Sequence, residues 1–327
     1  MTKLRWGILA TGWIAGIFAD DLVANGFTIT AVGSRSAEKS EAFADRLGAS
    51  KAHGSYEALA ADPDVDAIYI ATPHPFHVRA AELCIKAGKH VLVEKPLALN
   101  AAQARYLGDL ARNHDVLVME AMWTRFLPHM VRLRDILRSG QLGPIRSIIA
   151  THTQDLPDDP GHRLNDLALG GGALLDLGVY PVSFAFDLLG RPDRIFATGR
   201  LKETGADASA SVIFEYPGSA TALLLATSDA GGSNRAEINC AEGYIEIEGV
   251  WYEPSSLKVH DGHNTLLETF ESPEITGRGM HFQAAEFERV VASGKMESAL
   301  MPLEESIAVM AALDEIRRQI GVSYPGE

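Results

Sequence analysis

The chain opens with a short apolar run, residues 6–9, that breaks at Ala10-Thr11-Gly12. Apolar positions then resume with helical spacing at Ile14, Ile17, Phe18 and Leu22. This pattern predicts a strand that turns tightly into a helix. Residues 27–33 alternate into a second strand, and a second helix opens across residues 34–39. Residues 66–71 form an apolar run followed by a helix that stops at Gly88, a C-cap. Residues 90–93 form another strand, Asn100 caps a further helix, and residues 116–119 read as a short last strand. Strands alternating with helices predict an α/β domain with a doubly wound parallel sheet of Rossmann type over residues 1–121.

The texture changes after that. A helix at 128–139 is followed by segments alternating apolar and polar residues: 145–154, 194–201, 209–216, 220–228, 237–240, 244–248 and 256–260. Tight turns such as Tyr216-Pro217-Gly218 and Ala241-Glu242-Gly243 join several of them, as in antiparallel sheets. Helices return at 280–293 and 303–320. Residues 122–327 thus read as an α+β domain built on a mostly antiparallel sheet.

With 327 residues, the chain is long enough for two cores. A net charge of −14 argues against nucleic acid or an anionic membrane as partner, so an anionic ligand must be met by local Arg, Lys or helix N-termini. Lys3 and Arg5 before an apolar stretch resemble a signal peptide, but cleavage near Ala19 would remove the first strand and turn. No other run of 18 apolar residues occurs. Two cysteines, Cys84 and Cys240, give no metal spacing and fit a reducing, cytoplasmic compartment. His74 and His77 have no nearby carboxylate or Cys to complete a ligand set, so no metal is expected.

Candidate chemistry begins at the first turn. Against G-x-G-x-x-G, Ala10 holds the first position, Gly12 the second and Ala15 the third. The turn Thr11-Gly12-Trp13-Ile14 is the candidate cradle for a pyrophosphate, with the helix N-terminus behind it. Ser34 lies 22 residues past Gly12, where an NAD-binding protein carries an acidic residue. Here Ser34, Arg35 and Lys39 stand instead, either as solvated helix-start charges or as a 2′-phosphate site that selects NADP, with NAD still usable. The loops holding Thr72, Pro73, His74 and His77, and then Glu94 and Lys95, follow strand ends and are expected to face the same cleft as Gly12. Lys95 reads equally as a surface charge or as a functional group at the cofactor edge. Asp176 and Tyr180 share one face at helical spacing after Gly170-Gly171-Gly172. From spacing alone, the plainer reading is a capping carboxylate and a core phenol.

Taken together, the first turn, the A-T-P-x-x-x-H loop at 71–77, Glu94-Lys95-Pro96 and Gly171-Gly172-Ala173-Leu174-Leu175-Asp176 resemble the glucose–fructose oxidoreductase/inositol dehydrogenase (Gfo/Idh/MocA) family over nearly the whole chain. Residues 119–126, 176–180 and 321–325 are similar to its dimeric dihydrodiol dehydrogenase and NADP-dependent sugar dehydrogenase branches. The resemblance implies Lys95 as catalytic lysine, Asp176 as the second-motif aspartate and Tyr180 as acid/base. It further implies Ser34, Arg35 and Lys39 at the 2′-phosphate, and Thr72, His74, His77 and Glu94 at cofactor loops. Arg163 falls near the nicotinamide, and Trp123 and Phe126 along the substrate pocket. His74 stands where Asn is commoner, and His162 replaces an aromatic residue.

Oxidising an alcohol needs a hydride acceptor and a base. A phenol with a pKa of about 10 is a poor base, and an ammonium such as Lys95 favours its phenolate. Lys95 and Tyr180 are therefore expected to meet at the nicotinamide, with His152 or Asp176 the alternative proton carrier. The expected function is NADP-dependent hydride transfer on a sugar, cyclic polyol or dihydrodiol, in a homodimer formed through the outer face of the second sheet near Leu223 and Leu225. An NAD-dependent glycoside hydrolase and a non-catalytic NADP sensor are the alternatives. A 2′-phosphate site speaks against the first, and an intact Lys95, Asp176 and Tyr180 set against the second.

Overall fold

The computed structural model describes residues 3–327. Its first half runs β1 (Arg5–Leu9), α1 (Trp13–Ala24), β2 (Thr28–Gly33), α2 (Ala37–Leu47), β3 (Lys51–His53), α3 (Tyr56–Ala60), β4 (Ala67–Ile70), α4 (His77–Lys86), β5 (His90–Glu94), α5 (Ala101–Asn113) and β6 (Val118–Ala121). The six strands form one parallel sheet in the order β3-β2-β1-β4-β5-β6. Parallel neighbours cannot be joined by hairpins, and the intervening helices supply the crossovers. Every residue of β4 and β6 is buried, as expected of a sheet covered on both faces. Side chains set the helix starts: Ser36 Oγ accepts the Lys39 N–H at 3.3 Å, and Asn100 Oδ1 accepts that of Gln103 at 2.9 Å.

Next come α6 (Pro128–Ser139), β7 (Ile145–Thr153), α7 (Val179–Leu189), β8 (Arg194–Leu201), β9 (Asp207–Glu215), β10 (Thr221–Thr227), β11 (Ala236–Cys240), β12 (Gly243–Ile247), β13 (Leu257–Asp261) and β14 (Leu266–Phe270). They build an eight-stranded sheet in the order β14-β13-β12-β11-β7-β10-β9-β8, antiparallel except where β7 lies parallel to β10. One face is covered by α7 and the turn before it, which pack on β7 and β10. The other face carries Ile149, Phe196, Ile213 and Leu223, each 39–42% exposed. Residues 167–189 are long and apolar enough to cross a membrane by composition alone, but 78% of that window is buried, the position of a core helix.

Two helices end the chain, α8 (His281–Ala292) and α9 (Leu303–Ile320). The compact units are Met1–Trp123 with Ile275–Ile307, and Thr124–Glu274 with Ala308–Glu327. The chain returns to its first unit after the second sheet, a step absent from a division into 1–121 and 122–327. Trp6 accounts for much of the return: it is fully buried, its Nε1 donates to Glu288 at 3.0 Å, and its ring lies 5.2 Å from that of Phe287. Asp21 on α1 adds to it by accepting the backbone N–H groups of Arg278 at 2.9 Å and Met280 at 2.8 Å.

Candidate active site

Strand register gathers the first unit's candidates. Leu9 lies opposite Gly33 and Ile70, Ile70 opposite Val93, and Glu94 opposite Ala121. The segments leaving these strands, with Gly12, Ser34, Thr72, Lys95 and Trp123, therefore emerge from one carboxyl edge, where open α/β sheets bind ligands.

Ala10 occupies the first glycine position with a φ of 81°, a conformation that suits glycine, while its N–H donates to Gly33 O at 2.9 Å. Gly12 caps α1 in an extended conformation, and no side chain bonds the helix's first N–H groups. A Cβ built on Gly12 would meet nothing within 4 Å. Thr11 and Ile14 are half-buried, and Trp13 is 71% exposed. Across the switch point, the buried Thr72 Oγ1 has no hydrogen-bond partner among the described residues. Uncapped helix N–H groups beside an orphaned hydroxyl fit a dinucleotide pyrophosphate.

Beyond β2, Ser34 is buried, whereas Arg35 and Lys39 are exposed. The Tyr56 phenol, pushed up by burial and partly lowered by the Arg35 guanidinium, borders this corner. No carboxylate stands at Ser34, the position that would face a ribose 2′ group.

The two motif loops are tied together from within. His77 is fully buried, its Nδ1 2.8 Å from Pro96 O and its Nε2 2.8 Å from Thr72 O. Two carbonyl acceptors favour a protonated ring, but burial prevails and Lys95 adds to it, lowering the pKa to about 4. At neutral pH the ring is neutral and donates through one nitrogen. His77, expected among the cofactor contacts, is thus a brace between loops with no exposed atom to offer a ligand. Glu94 is buried too, accepting from the Tyr69 hydroxyl and, at 3.2 Å, from the Lys95 N–H. His74 is buried with its ring 5.6 Å from that of His77, and Pro73 is exposed. Lys95 is half-buried at the tip of the second loop.

In the second unit, the glycine run leads into a helix whose first turn is not α. Residues Leu174–Gly178 form a π-helical turn, with the Val179 N–H donating to Leu174 O, before α7 begins. Spacing from Ala173 predicted a regular α-helix; the wider turn is the difference, and such turns recur at functional sites. Asp176 lies half-buried on it, in a run otherwise buried from Gly171 through Tyr180. Asp207 fixes the entry. Fully buried, it accepts the Leu174 N–H at 2.6 Å, and burial pushes its pKa up to about 6. Gly172 has φ 131°, and any Cβ there would lie 2.1 Å from Asp207 Oδ1, so only glycine allows the approach.

Tyr180 is 8% exposed, its ring 4.8 Å from His152 and 5.5 Å from Tyr252. His152 stacks on Tyr252 at 3.7 Å, and the Gln154 amide nitrogen donates to His152 Nε2 at 2.9 Å. Arg163 is exposed on a 3-10 turn, Arg163–Asn165, and Trp123 and Phe126 are buried on another, Trp123–Phe126. Sequence pattern alone does not single out Tyr252, Gln154 or Asp207. They lie 72, 26 and 27 residues from Tyr180, and nothing in their local pattern marks them. Among the described residues no group of three or more His, Cys, Asp or Glu side chains is arranged to hold a metal.

Known proteins resemble this chain over nearly its whole length. Residues 4–122 match the oxidoreductase family model with an NAD-binding Rossmann fold, and residues 130–246 match the GFO/IDH/MocA C-terminal domain. The chain is 37% identical to trans-1,2-dihydrobenzene-1,2-diol dehydrogenase of Mus musculus and 36% identical to that of Homo sapiens, with 98% of each chain covered. Among solved structures, a 3-ketoreductase from Actinomadura kijaniata with NADP and TDP-benzene has a TM-score of 0.85 at 27% identity, covering 98% of both chains. An aldose-aldose oxidoreductase from Caulobacter crescentus shares the fold, with a TM-score of 0.87 at 23% identity over 97% of both chains. The chain belongs to the Gfo/Idh/MocA family and is an NAD(P)-dependent dehydrogenase or reductase.

Proposed function

We propose that the enzyme uses NADP(H) to interconvert a secondary alcohol and a ketone, or a cyclic hemiacetal and a lactone, on a sugar, cyclic polyol or dihydrodiol. The observation that carries the cofactor half is the corner after β2, where Ser34 and Arg35 replace the carboxylate that would repel a 2′-phosphate. Relatives support it: the ketoreductase structure at 27% identity contains NADP.

Bound nicotinamide supplies the hydride acceptor or donor. Ser34 and Arg35 hold the 2′-phosphate by hydrogen bonds and charge, and the α1 N-terminus with Thr72 holds the pyrophosphate. Tyr180 takes the hydroxyl proton on oxidation and returns it on reduction. The Lys95 ammonium favours the phenolate and stabilises developing alkoxide charge. Asp176 orients Lys95 or accepts from a substrate hydroxyl. Arg163 and His74 serve the nicotinamide half, and Trp123 and Phe126 the substrate. Variants of the ketoreductase were solved with a tyrosine changed to Phe and with a lysine changed to Ala or Glu, the same pair of residue types.

A second copy of this chain covers the open face of the second sheet, where Ile149, Ile213 and Leu223 are apolar and exposed. The free thiols Cys84 and Cys240 support a reducing, cytoplasmic setting.

The experiment is kcat/KM with NADP+ and NAD+ on one turned-over substrate. NADP+ preferred by about tenfold or more, and lost in Ser34→Asp, supports the reading. Equal or better use of NAD+ by the wild type overturns it.

A further inference from the structure

Asp207, the first residue of β9, is a carboxylate with no solvent exposure. Its Oδ2 accepts the N–H of Leu174, the residue that begins the π turn, at 2.6 Å. Gly172, with φ 131°, lets the chain pass close to the other oxygen. The Gly172 N–H in turn donates to Leu164 O at 2.9 Å, backing the glycine run onto the turn that carries Arg163. The C-terminal tail comes within range of the same carboxylate. Tyr324 is 4% exposed, and its phenol is pushed up first by burial and then by the Asp207 charge.

Burying a carboxyl where an apolar side chain would pack carries a desolvation cost, so the group is expected to hold something an apolar side chain cannot. What it holds is an irregular turn. A π turn closes from residue i to i+5, here from Leu174 O to the Val179 N–H, whereas an α turn closes from i to i+4. Relaxing it to α spacing shifts the register by one residue, a rotation of about 100°. Tyr180, two residues beyond the turn, would then leave its edge-on place 4.8 Å from the His152 ring.

We infer that Asp207 is a positioning residue: by fixing the Leu174 N–H it holds the π turn and so sets Tyr180 in its working orientation. The inference rests on Tyr180 as the proposed acid/base.

The test uses the full chain and reads kcat with NADP+ on one turned-over substrate, NADPH affinity by fluorescence titration, and thermal melts to confirm folding. Asp207→Leu, close in size but without an acceptor, lowers kcat by about ten- to a hundredfold. NADPH affinity stays within about threefold, because the phosphates are held at the α1 N-terminus. Asp207→Asn keeps an oxygen for the Leu174 N–H and restores kcat to within about threefold of wild type. In a Tyr180→Phe background, Asp207→Leu costs less than about twofold in kcat, since it acts through the phenol. If Asp207→Leu does not fold, Asp207→Ser replaces it, its hydroxyl one bond too short for the Leu174 N–H. Unchanged kcat in Asp207→Leu overturns the inference, as does failure of Asp207→Asn to restore it. An equal loss in both backgrounds overturns it too, marking a merely structural role. Near-normal turnover in Tyr180→Phe alone overturns the acid/base reading, and that result is read before any change at Asp207.

Discussion

The two sheets solve different problems. The parallel sheet is covered on both faces, with β4 at its centre and β6 at its edge buried throughout, so little on its faces is available for chemistry. Its candidate groups all leave from one edge, fixed by register. The second sheet alternates: Ala222, Leu224 and Ala226 of β10 are buried, while Leu223 between them is exposed. The proposed chemistry sits on the helix lying over the closed face, while Ile149, Ile213 and Leu223 stay exposed on the open one. A sheet buried twice specifies a site by topology, whereas a sheet buried once specifies it by what packs on top.

Truncating neighbouring residues on β10 separates the two faces of the second sheet. Leu224→Ala, on the closed face, should lower stability by about 2–5 kcal/mol in denaturant titration. Leu223→Ala, one residue away, should change stability by less than about 1 kcal/mol at concentrations where the chain is monomeric. Leu223→Glu should instead lower the solution mass from dimer to monomer by light scattering at micromolar concentration. A monomeric wild type would remove the partner from the open face.

Acid should act on both units at once. His77 in the first and His129 in the second are buried, each held down to about 4 chiefly by desolvation. Below pH 6.5 the unfolded chain binds protons that the folded rings refuse, so stability is full above pH 6.5 and falls as pH drops toward 4, by about 3 kcal/mol per ring. Asp207 has the opposite sign: its folded pKa is raised to about 6, so its contribution is full below pH 4 and is lost as pH rises through 6. Two losses exceed one gain, and thermal melts should show Tm falling from pH 7 to 4. His77→Gln should flatten that slope. An unchanged slope would mean the ring takes up a proton while folded.

Much of the first unit is legible because its strands are apolar runs and its turns fall at fixed offsets from them. β4 and β5 announce themselves in this way, and register then carries Lys95 and Thr72 to one edge. β3 is too short to show a period, and β14 is an outer strand without a buried alternation, so neither was anticipated. The π turn was missed because its residues are those of an ordinary apolar helix, and only Asp207, 33 residues beyond Leu174, sets its entry. The return of residues 275–307 to the first unit depends on Trp6, Asp21 and Glu288, contacts across more than 250 positions that no local window contains. Tyr180 was legible by resemblance; its neighbours His152, Gln154 and Tyr252 became a group only in three dimensions.

The smallest effect tests the first turn. Ala10 holds a φ of 81° that costs an L-residue roughly 1–2 kcal/mol, partly offset by the greater freedom glycine has when unfolded. Ala10→Gly should therefore stabilise by up to about 1 kcal/mol in chemical denaturation. A loss of stability would mean the methyl is well packed and the turn relaxed.

In the proposed function Lys95 and Tyr180 work as one catalytic unit, although they belong to different compact units of the chain. The direct measurement is a double-mutant cycle on kcat with NADP+ and the preferred substrate, using Lys95→Met, Tyr180→Phe and the pair. Each single variant should lose about 10²–10⁴ in kcat, and the double variant should be little worse than the more damaged single one. NADPH affinity should fall less in Tyr180→Phe than in Lys95→Met. Losses that multiply in the double variant, or near-normal turnover in Tyr180→Phe, would contradict the claim.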